Sequence, residues 1–120
     1  MTMPRFKKKH TIVVAGRPVP KGRPRLGRRG RVFTPVKTLE AEAVIREAWD
    51  GPKYDVPVYL LVEINDKESV ITVGVDDIGV TSKLRGDLDN YVKTIMDGLN
   101  GVAWEDDKQV HYIEARKGNS

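Results

Sequence analysis

The chain contains no cysteine, which excludes a disulfide framework, a thiolate metal site and a cysteine nucleophile, and fits a reducing compartment. Histidine is nearly as scarce: there are two, His10 and His111, at no metal-ligand spacing from each other. Long apolar runs are missing as well, since pieces such as Val58 to Val62 fall far short of the ~20 residues that a membrane span needs. The basic start MTMPRFKKKH is followed by an apolar stretch, Thr11 to Gly16, that is too short for a signal-peptide core. No membrane contact is therefore expected, and the expected location is the cytoplasm. Serine is sparse, and neither a GxSxG nor a P-loop pattern occurs, so no organic cofactor is expected. What is there is 120 residues, 39% hydrophobic and 32% charged. That suffices for one self-folding globular domain, 1–120, with 1–10 as a basic flexible arm.

No acid precedes Glu40, although twelve of the 21 basic residues do; the other nine share the rest of the chain with all 17 acids. Such segregation suits a protein that holds a polyanion with one part and works with another. A solvated basic arm would show the same charge run.

Thr11 to Ala15 (TIVVA) is β-branched and followed by Gly and Pro, which predicts a first strand. The segment RPVPKGRPRLGRRGRVFTP is too rich in Pro and Gly for a helix and reads as a long basic loop, with a small hairpin closing around Gly27 to Gly30. Thr34 as a cap and Pro35 as a first helical residue predict a helix to about Trp49. Its apolar stripe is Ala41, Val44, Ile45 and Ala48, and Gly51 and Pro52 end it. Val56 to Ile64 predicts a strand at the sheet centre and Val70 to Val75 a third strand. Leu88, Val92, Ile95, Met96 and Leu99 form the stripe of a second helix, about Leu88 to Leu99, stopped by Gly101. Val110 to Ala115 (VHYIEA) predicts a last strand. The order β-α-β-β-α-β implies an α+β two-layer sandwich, a mixed sheet of about four strands with two helices on one face.

The densest chemistry lies in RGDLDNYVKTIMDGLNGVAWEDDKQV, residues 85 to 110. Asp87 and Asp89, two residues apart at the entry to the second helix, share a face in extended geometry, where the helix dipole favours the ionised form. Lys93 follows Asp89 by one turn, and Asp97 follows Lys93 by another. Asp106 and Asp107 precede the predicted last strand. Three carboxylates within ~5 Å would repel by roughly 3 kcal/mol per pair at an effective dielectric near 20. Protonation of one acid or a hard divalent cation relieves this, and Mg²⁺ is usual where phosphate is the substrate. An EF-hand is excluded, because Tyr91 stands where a third oxygen ligand belongs. Against the metal reading, Asp87 could be a helix cap, Lys93 and Asp97 a surface pair, and Asp106 and Asp107 turn residues. Trp104 could be core or an exposed wedge, and core is the reading preferred.

The run GDLDNYVKTIMDGLNGVAWEDDKQV resembles the signature of RusA-type Holliday junction resolvases, and PVPKGRPR with RVFTPVKT resembles that family's N-terminal segment. The likeness extends over roughly Val13 to Lys117. It implies that Asp87, Asp89 and Asp107 hold Mg²⁺, with Asp106 close by and sharing the ion, and that Lys93 assists phosphoryl transfer. It further implies that the basic loop, Lys21, Arg23 and Arg25 with Arg28, Arg29 and Arg31, contacts DNA phosphates. The family also implies a homodimer, whose two-fold axis places one site on each of two opposing strands of a four-way junction. Gly86 departs from the family, where Pro or a basic residue is common, and Tyr91 replaces a frequent Leu. Residues 66–84 match nothing in it. The expected function is thus Mg²⁺-dependent cleavage of branched DNA. The alternatives are a Mg²⁺ nuclease acting on flaps or other DNA and a non-catalytic basic DNA-binding module.

Overall fold

Isoleucine and valine run together in the first strand, and a computed structural model shows which of them is buried. The structure describes residues 8–22, 25–26, 30–77, 79 and 82–118. Two compact units divide it, Met1–Asp77 and Ile78–Ser120.

In the first unit, β1 (Lys9–Ala15) and β4 (Val58–Ile64) flank β5 (Glu68–Val75) in a three-stranded antiparallel sheet. The register runs Ile12↔Ile71 and Val62↔Ile71. Directly opposed residues share a face, so His10, Ile12, Val14, Leu60, Val62 and Ile64 line one apolar side. Asn65 makes the β4–β5 turn: its side-chain oxygen accepts from the amides of Lys67 and Glu68, at 2.8 and 3.0 Å. A two-stranded ribbon, β2 (Arg25–Leu26) with β3 (Val32–Phe33), forms the expected hairpin. Gly30, at φ +73°, supplies the left-handed turn residue that a side chain would disfavour.

Helix α1 (Val36–Ala48) lies against β1. Ile12, 8% exposed, is the apolar residue buried there. The expected stripe is not what α1 buries, since Val44 and Ile45 are exposed and Thr38, 5% exposed, is the buried position. Pro35 occupies the cap position, with no side-chain capping bond, and not the first helical one. At the far end of the helix His10 meets the exposed Asp50 at 2.5 Å and packs edge-on to Trp49, with ring centroids 5.0 Å apart. This hydrogen bond holds the Asp50 carboxyl below its ordinary range.

The second unit contains α2 (Leu88–Leu99), over the span expected, and a single 3₁₀ turn at Asp107–Gln109. Three features of the expected sheet need correction. It is antiparallel and not mixed, β5 and not the 56–64 strand is central, and residues 110–115 belong to no strand. Alternation makes a segment competent for a sheet, but backbone N–H and C=O groups must also find a partner strand, which periodicity does not name. The predicted third strand, Val70 to Val75, is part of the central strand β5.

Candidate active site

Helix α2 begins at Asp87, the N-cap residue, whose backbone carbonyl accepts from the amides of Asn90 and Tyr91 at 3.1 and 3.2 Å. Its carboxylate makes no capping bond, so the side chain is exposed at the positive end of the helix without being consumed by it. Asp89 sits in the first turn, and Lys93 follows one turn later. Both are exposed, and neither has an ion-pair partner among the described residues. The surface pair of Lys93 with Asp97 is likewise not formed.

Gly86 and Tyr91 meet here. The Gly86 amide donates to the Tyr91 hydroxyl at 3.1 Å, and a Cβ on residue 86 would lie 2.7 Å from that oxygen. Tyr91 therefore latches the chain just before Asp87, and a Cβ at residue 86 would force the end of its ring to shift.

Asp106 and Asp107, adjacent in sequence, are used differently. Asp106 caps the 3₁₀ turn: its Oδ1 accepts from the Lys108 amide at 2.8 Å, while Gln109 Oε1 accepts from the amides of Glu105 and Asp106 at 2.7 and 2.9 Å. An Asp followed three residues later by Gln is the capping-box pattern, a signal in the sequence that would have marked Asp106 as structural. Asp107, half-buried, accepts instead from the Trp104 indole Nε1 at 2.7 Å. Trp104 is held from the backbone side, where its carbonyl accepts from the amide of Gly101 (φ +81°) at 2.7 Å. Its side chain lines an apolar cavity of about 610 Å³ between α2 and residues 110–117, shared with Leu88, Val92, Met96 and Ile113.

All-oxygen carboxylate donors suit a hard cation such as Mg²⁺. Among the described residues, however, no group of three or more acidic or histidine side chains lies close enough to hold an ion. The described residues, Asp87, Asp89, Asp106 and Asp107 included, therefore do not by themselves assemble a metal centre.

Of the expected DNA contacts, Arg23, Arg28 and Arg29 lie outside the described residues, and Arg25 is described by its backbone alone, in β2. Arg31 is exposed. Lys21 is engaged: its Nζ donates to Glu42 Oε2 on α1 at 2.7 Å. That bond, more than the ammonium's charge, holds the Glu42 carboxyl below its ordinary value of 4.5. Beside it the Gly22 amide donates to the buried Thr38 hydroxyl at 2.9 Å, and Gly22 fits closely, since a Cβ would stand 2.7 Å from the Pro35 ring. The start of the basic loop is thus fixed to the first turn of α1.

The sequence pattern that defines the family Endodeoxyribonuclease RusA matches residues 15–120. No curated protein and no solved structure matches the chain.

Proposed function

Because the chain belongs to the RusA endodeoxyribonuclease family, we propose that it resolves four-way DNA junctions as a Mg²⁺-dependent homodimer, by paired symmetric phosphodiester hydrolysis. The observation that carries this reading is the family match over nearly the whole chain, which includes every acid in question. The local geometry supports it, because the Asp87 carboxylate makes no capping bond and, among the described residues, neither Asp89 in the first turn nor Lys93 in the next has an ion-pair partner.

In this proposal Asp87, Asp89 and Asp107 are the catalytic acids, and Asp106 serves the turn that presents Asp107. Lys93 counters charge on the scissile phosphate as water attacks phosphorus and the strand leaves. Lys21, Arg25 and Arg31, with Arg23, Arg28 and Arg29, hold the DNA backbone. Mg²⁺, when bound, would supply charge neutralisation and a more acidic water. Two copies of the site about a two-fold axis would nick opposing strands and leave nicked duplexes.

Cleavage of a synthetic four-way junction and of linear duplex of the same sequence, each with and without Mg²⁺, tests this reading. The expected result is junction cutting that needs Mg²⁺ and spares the duplex. Equal cutting of both would indicate a nuclease of another preference, and junction binding without any cutting a non-catalytic module.

A further inference from the structure

We infer that Trp104 is a positioning residue for the reaction, orienting the Asp107 carboxylate through its indole N–H. The inference rests on the endonuclease reading above and goes beyond it, because it assigns a role to a side chain that cannot itself do acid–base or ligand chemistry.

A carboxylate on a short turn can rotate about χ1 and χ2, and catalysis requires one orientation held in advance. At Asp107 one oxygen is fixed by the Trp104 Nε1 bond at 2.7 Å in a half-buried setting, which leaves Oδ2 as the oxygen available to the reaction. The indole is itself placed by its backbone, which is fixed by the Gly101-to-Trp104 hydrogen bond and by the bridge between Asn100 and Trp104, while its ring faces the apolar cavity beside α2. The end of α2 is thereby tied to the acid at the start of the following turn. The neighbouring Asp106 is held by a backbone donor instead, its Oδ1 accepting from the Lys108 amide.

Phenylalanine at 104 keeps an aromatic ring in the cavity and removes the donor together with part of the indole's volume. Losing such a supporting hydrogen bond typically costs about 10- to 100-fold in metal affinity or activity. Trp104→Phe should therefore slow single-turnover junction cleavage in Mg²⁺ by that factor. Junction affinity measured without divalent cation should stay at the wild-type value. A merely structural role would lower affinity, thermal stability and cleavage together.

A second measurement needs no activity. In the ¹H–¹⁵N spectrum of the metal-free protein, the Trp104 indole resonance should shift on Asp107→Ala, while that of Trp49, which donates to the Pro52 carbonyl, stays in place. Wild-type cleavage by Trp104→Phe, or a Trp104 resonance indifferent to Asp107→Ala, overturns the inference. Failure of the wild-type protein to cut any junction overturns the endonuclease reading itself, and is distinguishable because the indole shift is read without substrate.

Discussion

Thr38→Val is the sharpest probe of how the basic loop is held. Threonine and valine have nearly the same shape, so the substitution leaves the volume under α1 filled and removes one acceptor. The Gly22 amide, part-buried and bonded to that hydroxyl at 2.9 Å, is left without its partner. A buried donor stripped of its acceptor costs about 1–3 kcal/mol. For a domain of this size each kcal/mol shifts Tm by about 4–8 °C. Calorimetry or circular dichroism should thus show the Thr38→Val midpoint at least about 4 °C below wild type, with Thr38→Ser close to wild type because it keeps the oxygen. Junction affinity at low salt should fall in parallel, since Lys21 adjoins the anchor. A Thr38→Val protein melting within about 1 °C of wild type would refute the reasoning, for it would mean that Gly22 finds water and the loop was never pinned.

Asp89→Asn removes a charge at constant size and should abolish junction cutting while binding persists or tightens, as measured by gel shift beside a cleavage assay. Gly86→Ala should perturb the α2 entry and reduce cleavage, and Tyr91→Leu combined with it should recover part of the loss, because the ring that the new Cβ meets is gone; simple additivity of the two effects would contradict the latch. Since the Glu42 carboxyl is held below 4.5 by the Lys21 ammonium, the pair's stabilisation is complete above that pH and is lost as pH falls through the lowered value. Lys21→Met should move the Glu42 midpoint, followed by carboxyl-carbon NMR, back up toward 4.5. If the basic segment meets about six phosphates per subunit, log affinity should fall with log salt at a slope near −5; a slope near zero would remove the loop from DNA contact.

Much of the local structure was legible in the residues themselves. The stripe Leu88, Val92, Ile95, Met96, Leu99 marks α2 at its observed ends, and Gly30 supplies the turn between β2 and β3. What was not legible depends on partners distant in sequence. The run Val58 to Ile64 is apolar enough for a sheet centre, yet it forms an edge with Leu60 and Ile64 each 61% exposed, while the more polar Glu68–Val75 is flanked on both sides. Hydrophobicity reports that a strand wants cover, whereas topology decides which strand receives it. In the site, the DLDN and DDKQ runs name the acids, but the division of labour between Asp106 and Asp107 depends on two donors, the Lys108 amide and the Trp104 indole. The Asp106-to-Gln109 spacing encodes the first; nothing in the spacing alone encodes the second.

The central claim is that this chain cuts two opposing strands of a branched junction at related positions. Mapping 5′-labelled products of each of the four strands of a mobile-core junction on a denaturing gel, in Mg²⁺, tests it most directly. The account predicts paired nicks, symmetric about the crossover, that vanish together in Asp87→Asn and in Asp107→Asn. Cuts scattered along one arm, or symmetric cuts that survive either substitution, would contradict it.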